Sequence, residues 1–309
     1  MSADVYILEG GVWKKVSDAY TYNGSAWDKI STVYYWNGSA WKESFTGGFV
    51  VSKTFSSGQT NNFNIAAEAT AAGWDGTTII IANLTIPNGA YLGSSSTSTY
   101  ALETASMVAG STVNLTINSG GFLVGRGGAG GAGAGQSVTT LSTGSVGGPA
   151  LNVINSINFN LTNNGTIGGG GGGGGGGNGG DDWFQNAGFQ GGPGGGGAGF
   201  GTGGTFTNNA NDSHMFSAPG GTGTHNAGGA GVGSSVKPGE SNNGSTGGTG
   251  GNGGLLGTVG NSGLNNGQGL NASLTYQSGS PGGAAGVAIN GWSTITVITE
   301  GTISGAKNN

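Results

Sequence analysis

An uninterrupted run of ten glycines at 168–177 constrains this chain more than any other feature of its sequence. Glycine loses the most conformational freedom on folding and has no side chain to pack. Such a run is either a flexible tether or is held by its backbone groups alone. A collagen triple helix needs glycine at every third position and many prolines. The block Gly125-Arg126-Gly127-Gly128-Ala129-Gly130-Gly131 breaks that register, and the chain has only 6 prolines. The remaining ordered solution is a set of extended threefold helices lying side by side. Such helices make no internal hydrogen bonds, so their N–H and C=O groups can pair with neighbours. Ten residues at about 3.1 Å rise span roughly 30 Å. Further glycine blocks at 125–135, 191–204, 220–233 and 247–254 suit the same design. The expected distal fold is therefore a polyglycine-II-type helix bundle. A glycine-rich β-solenoid is the alternative, and a flexible linker comes third.

Glycine and proline together make 75 + 6 = 81 of 309 residues, a share that without a period usually signals low complexity. The rest of the composition opposes disorder. Hydrophobic residues reach 34%, charged residues only 7%, and there are 7 Trp, 8 Tyr and 11 Phe, whereas disordered chains are charged and poor in aromatics. With 8 basic against 13 acidic residues, net −5, the chain lacks the basic clusters that bind phosphate backbones. Arg126 in a Gly-Arg-Gly-Gly context is single and does not make an RGG box. The absence of cysteine excludes disulfides, zinc–thiolate sites and thiol catalysis. No apolar run approaches the roughly 20 residues of a membrane span, and Met1-Ser2-Ala3-Asp4 lacks the features of a signal peptide. Synthesis in a cytoplasm without export by the usual route is the expectation.

Three regions follow. In residues 1–48, Tyr6, Tyr20 and Tyr34 are each followed seven residues later by Trp13, Trp27 and Trp41, a period of 14. Glu9-Gly10, Asn23-Gly24 and Asn37-Gly38 lie between them. Asn-Gly is a strong hairpin signal of the type I′ turn, so each unit reads as strand, turn, strand. Its aromatics, with Trp36, either pack within the array or dock on another protein; Trp13, Trp27, Trp36 and Trp41 are the attachment candidates. Residues 49–124 read as a β-rich middle domain, with strands near 49–55, 77–86 and 111–118. One short helix lies at 62–73, capped by Asn62 and ended by Gly73. Residues 125–309 hold 61 of the 75 glycines and form the distal domain. There β-like patches follow Leu151, Val153, Ile157, Phe159 and Leu161, then Val287, Ile289, Ile295 and Val297. Ile298 directly after Val297 breaks the alternation of a half-buried strand. The fold class is mainly β and irregular.

A rigid bundle tolerates variable end loops, which is where binding function gathers. The loops here are 181–186, 205–218 and 264–278. Aromatics among Asn, Ser and Gly resemble adaptable paratopes, which makes Trp183, Phe184, Phe206, His214, Met215, Phe216 and Tyr276 the binding candidates. Each could equally cap the bundle's end. Catalysis requires convergent groups, and the only histidines, His214 and His225, stand in no metal-ligand pattern. Asp181-Asp182 could offer oxygens to Ca²⁺ but reads as a solvated turn. The many G-x-G-x-x-G matches do not follow a strand and open a helix, as a nucleotide site requires. No enzyme activity, cofactor or metal is expected.

Four stretches stand out: Asn64-Ile65-Ala66-Ala67-Glu68-Ala69-Thr70-Ala71-Ala72-Gly73-Trp74-Asp75-Gly76, Ala109-Gly110-Ser111-Thr112-Val113-Asn114-Leu115, Gly147-Gly148-Pro149-Ala150-Leu151 and Gly282-Gly283-Ala284-Ala285-Gly286-Val287-Ala288-Ile289. They resemble segments of glycine-rich phage tail-fibre proteins that recognise host receptors. The glycine-rich half is similar to fibre-tip adhesins of contractile-tailed phages. That resemblance implies a layered polyglycine bundle whose end loops contact an outer-membrane protein or glycan. It also implies synthesis in a host cytoplasm, release by lysis and a place on the virion surface, with other virion proteins as partners through the N-terminal region, possible homo-oligomers, and neither nucleic-acid binding nor membrane insertion. The N-terminal array departs from the adhesins' attachment domain; its Asn-Gly-Ser-Ala-Trp repeat resembles other phage structural proteins. A capsid decoration or other structural appendage without receptor role is the alternative function. Ice binding by a flat bundle face is a third, which the aromatic array and irregular loops oppose.

Overall fold

The computed structural model describes residues 6–9, 12–15, 20–30, 32–36, 38–46, 48–133, 142–154, 156–178, 180–182, 187–189, 191–205, 218–233, 247–264 and 279–309. Three antiparallel strand pairs open the chain: β1 (Tyr6–Glu9) with β2 (Val12–Lys15), β3 (Tyr20–Tyr22) with β4 (Trp27–Lys29), and β5 (Thr32–Trp36) with β6 (Trp41–Thr46). The Asn-Gly connection differs from a type I′ turn. Gly24 and Gly38 take φ of +100° and +96°, but Asn23 is not in the left-handed region. Asn23 acts through its side chain instead, whose Oδ1 accepts from the amides of Ser25 and Ala26 at 2.9 Å each.

From Phe49 the chain winds as a coil of three parallel sheets. The first sheet takes β7 (Phe49–Thr54), β10 (Ile80–Ile86), β13 (Thr112–Ile117), β16 (Asn158–Asn163) and β21 (Ile295–Thr299). The second takes β8 (Gly58–Asn61), β11 (Ala90–Gly93), β14 (Phe122–Val124), β17 (Thr166–Gly168) and β22 (Thr302–Ser304). The third takes β9 (Phe63–Asn64), β12 (Leu102–Glu103), β15 (Leu151–Asn152), β20 (Ile289–Asn290) and β23 (Lys307–Asn308). Each circuit adds one strand to every sheet, giving five coils in register. Alternate residues point inward and stack in columns. Ala82, Val113 and Phe159 form one, and Leu84, Leu115 and Leu161 the next, all at most 1% exposed. Outward, Asn83, Asn114 and Asn160 form an amide ladder with 2.9 Å bonds from Asn114 to Asn83 and from Asn160 to Asn114. Three in-register copies of Asn-Leu-Thr thus mark the three inner strands of the first sheet.

The helix α1 (Ile65–Ala71) packs on β7, β9 and β10. Its N-cap is Asn64, whose Oδ1 accepts from the Ala67 amide at 2.8 Å, rather than Asn62. Asn62 is the single corner residue between β8 and β9, at φ 51°, and its side chain accepts from the Ser95 amide. The strand expected from 77 starts only at Ile80, because Asp75 holds the amides of Thr77 and Thr78 in a turn. The break at Ile298 is a bulge: Leu161 pairs with Val297 and Thr162 with Thr299. Ile298 is the extra residue and is 65% exposed.

A division between 124 and 125 does not match these sheets. The strands β15, β16, β17 and β20 to β23 lie beyond it, yet they pair with or extend the sheets begun at Phe49. What leaves the coil are two excursions at one corner, between the second and third sheets. Residues 125–150 depart after β14 and return at β15, and residues 169–288 depart after β17 and return at β20. Interior columns need continuous neighbours, whereas a corner accepts any length whose ends meet.

Candidate functional site

The two excursions lay ten segments side by side, alternately leaving and rejoining the coil: 125–133, 142–150, 168–178, 191–199, 201–205, 218–224, 227–233, 247–254, 258–264 and 279–288. Their hydrogen bonds run between segments with a repeat of three. In the segment holding the ten glycines, the amides of Gly170, Gly173 and Gly176 donate to Gly148, Ser145 and Ser142. Those of Gly171, Gly174 and Gly177 donate to Ala198, Gly195 and Gly192, and those of Gly172, Gly175 and Asn178 to Thr258, Asn261 and Leu264. Its carbonyls accept from 125–133, 247–254 and 279–288 in the same manner, all at 2.7 to 3.4 Å. This segment therefore has six neighbours and no free face. A Cβ on any of the nine glycines 169–177 would come within 3.0 Å of a neighbouring segment's backbone, and one on Gly168 would meet the Leu256 side chain at 2.9 Å, closer than real Cβ atoms stand.

Glycine frequency follows from that packing. Segment 191–199 is likewise surrounded and contains seven glycines, Pro193 and Ala198. Segment 125–133 has one outer face, where Arg126, Ala129 and Ala132 fall at every third position. Segment 258–264 lies at an edge and keeps glycine only at 260 and 263, both buried, while the residues between them are exposed.

The segments turn back at two opposite ends. Beside the coil the returns are at Gly199 to Gly201, Thr224 to Ala227 and Leu255 to Thr258, where the Gly257 amide donates to the Gly169 carbonyl. An aromatic cluster anchors this end. His225 stacks on Tyr91 of β11 at 4.8 Å between centroids and meets Phe122 of β14 edge-on at 4.7 Å. Phe200, held at φ 63°, reaches Tyr91 at 5.9 Å. Burial against these rings holds the His225 imidazole below its ordinary pKa.

The other end carries all five remaining connections. Gly177 bonds to Gly192, Gly192 to Gly248, Asn178 to Leu264 and Gly176 to Ser142. Gly204 lies against Gly131, and Gly279 against Gly263. The ends at 133 and 142, 178 and 191, 205 and 218, 233 and 247, and 264 and 279 are thus gathered on one surface. Between 178 and 191, β18 (Gly180–Asp182) pairs antiparallel with β19 (Ala187–Phe189). The candidates Trp183 and Phe184 fall in the link between those strands, Phe206, His214, Met215 and Phe216 in 206–217, and Tyr276 in 265–278. All seven lie outside the described residues. What the structure fixes is that their three segments, with 134–141 and 234–246, spring from the same end. Sequence reasoning did not single out 134–141 and 234–246; their lengths between glycine blocks were the available signal.

The attachment candidates lie in the N-terminal strand pairs. Trp27, Trp36 and Trp41 are 69%, 53% and 68% exposed. They stand in cross-strand aromatic pairs, Tyr22 with Trp27 at 5.2 Å and Trp36 with Trp41 at 5.6 Å. The side chain of Trp13 lies outside the described residues. Among the described residues no group of three or more His, Asp or Glu could hold a metal ion, and no helix is long and apolar enough to cross a membrane.

The sequence profile of one family, described as phage tail fibre adhesin Gp38, matches residues 50–308. No curated protein sequence matches the chain. Among solved structures, the chain is similar to one from the gp37-gp38 adhesin tip complex of the long tail fibre of bacteriophage S16. The likeness is at 25% identity and a TM-score of 0.49, over 83% of this chain and 81% of that one. The matched stretch takes in every sheet of the coil and both excursions, so the chain belongs to the phage tail fibre adhesin Gp38 family.

Proposed function

We propose that this chain is a host-receptor-binding protein of a phage tail fibre and that its binding surface is the loop-bearing end of the glycine array. The observation that carries this reading is the gathering of five connections on one surface, opposite the end anchored to the coil. The threefold repeat of intersegment hydrogen bonds supports a polyglycine-II-type bundle, a scaffold that depends on backbone alone. Loop sequence can then change without disturbing it. Trp183, Phe184, Phe206, His214, Met215, Phe216 and Tyr276 supply aromatic and polar contacts to a bacterial outer-membrane protein or glycan.

At the other extreme, residues 1–48 form hairpin repeats whose exposed Trp27, Trp36 and Trp41, with Trp13, dock on another virion protein. The chain then divides into an attachment array, a parallel coil from about 49 with its final strands after 288, and the glycine excursions. Tail-fibre family membership goes with a place on the virion surface, and the work done there is recognition rather than catalysis. Labelled full-length protein should stain susceptible cells and block phage adsorption to them. Failure to stain any strain the parent phage infects would refute the reading.

A further inference from the structure

Every parallel coil has two open ends, and each end exposes the unpaired edges of all three sheets together. Such edges are templates for another chain, and natural sheets blunt them with inward-pointing charges, among other devices. Here the end strands are β7, β8 and β9 at one side and β21, β22 and β23 at the other.

Both ends place a lysine where the interior coils place an aliphatic side chain. The column Leu84, Leu115, Leu161 is at most 1% exposed and begins, in register, at Lys53. The column Leu102, Leu151, Ile289 is fully buried and ends, in register, at Lys307. The two lysines are partnered alike. Lys53 Nζ lies 2.8 Å from Glu68 Oε1 of α1 and 5.9 Å from the centre of the Phe63 ring. Lys307 Nζ lies 2.9 Å from Glu300 Oε1 and 4.2 Å from the centre of the Trp292 ring. In each case the aliphatic stem continues the apolar column while the ammonium reaches water at the end face. About a third to a half of each of these charged side chains is exposed, from 35% for Lys307 to 50% for Glu300.

We infer that Lys53–Glu68 and Lys307–Glu300 are stops that prevent a second copy of this chain from stacking on either end of the coil. Stacking in register would carry each ion pair out of water into a low-dielectric contact, whose desolvation cost its own attraction does not reliably repay. The guards are unequal. α1 also packs against the first end, whereas at the last end Lys307 is accompanied by Glu300 and by Trp292 of the short 3-10 turn Trp292–Thr294. Removing the charge at Lys307 therefore opens the more vulnerable end. This inference concerns self-association and is independent of the receptor reading.

The test is sedimentation of full-length Lys307→Ile and Lys307→Met across a concentration series beside wild type, with electron microscopy of negatively stained particles. Both variants should self-associate at a concentration at least about tenfold lower than wild type, a difference of about 1.4 kcal/mol, as particles joined end to end. Lys307→Arg keeps the charge and should match wild type. The unbranched methionine retains the stem and decides the matter if isoleucine impairs folding. Variants that fold and melt like wild type but show its sedimentation would overturn the inference, as would amorphous aggregates or equal association of Lys307→Arg.

Discussion

Gly172→Ala adds one methyl group at the centre of the glycine array. Its Cβ would stand 1.8 Å from the Gly283 carbonyl oxygen and 2.5 Å from the carbonyl carbon. Reaching even 3.0 Å requires segment 279–288 to move by about 3.0 − 1.8 = 1.2 Å. The bonds at stake are those from Gly283 to Gly173 at 2.7 Å, from Gly286 to Gly170 at 2.8 Å and from Gly260 to Gly283 at 2.9 Å. A 1.2 Å displacement away from the ten-glycine segment would stretch the first two beyond 3.5 Å and weaken the third. Each buried group left without a partner costs about 1–3 kcal/mol, so two or three together cost roughly 3–6 kcal/mol. The reduced freedom of the unfolded chain returns only about 0.4–1 kcal/mol. At about 2 °C per kcal/mol for a chain of this size, the melting temperature followed by circular dichroism should fall by about 5 °C or more. Gly233, with nothing within 4 Å of its ideal Cβ, is the control, and Gly233→Ala should melt within about 2 °C of wild type. Equal melting of the two variants would refute the close packing of the array.

Asn64→Ala removes the cap of α1 and the 2.8 Å bond to Glu103; it should cost about 1–2 kcal/mol in denaturant unfolding. His225 is held below its ordinary pKa of about 6.5, so the unfolded chain binds more protons than the folded one just below that pH. Stability should therefore fall as pH drops from about 7 toward the depressed value, and His225→Phe should flatten that part of the profile while leaving the carboxylate part intact. Asp75 is held far below the usual carboxylate range by the Thr77 and Thr78 amides, so Asp75→Asn should remove part of the loss seen on acidification below about pH 4. Trp27→Ala and Trp41→Ala each remove one exposed ring of a cross-strand aromatic pair, so unfolding should shift by no more than about 1 kcal/mol, while assembly onto phage particles, read by immunoblot of purified virions, should drop.

The coil and the excursions were unequally legible. Alternation at Val113, Leu115 and Ile117 marked β13, but its neighbours in the sheet are 31 and 46 positions away, at Leu84 and Leu161. The thrice-used Asn-Leu-Thr that aligns them was the clue. Leu151 and Leu161 look like one patch in sequence, yet they belong to different sheets, because a corner intervenes between β15 and β16. The glycine blocks pointed to close backbone packing. Their graded composition, from ten consecutive glycines to one in three, became readable only once the number of neighbours around each segment was known. Asn62 and Asn64 both precede α1, and local propensity does not tell which caps it; the corner takes the first and leaves the second. Residue type alone marks the binding candidates in the sequence, and the fold adds that the segments carrying them leave from one end.

The central claim is that this end, and not the coil or the scaffold, recognises the host. Its most direct test replaces 134–141, 183–186, 206–217, 234–246 and 265–278 together with short glycine–serine links and measures binding to susceptible cells by flow cytometry. The account predicts loss of binding with wild-type melting, and recovery of binding to a different host when the same five segments come from another adhesin of the family. Undiminished binding by the loop-less protein would contradict it.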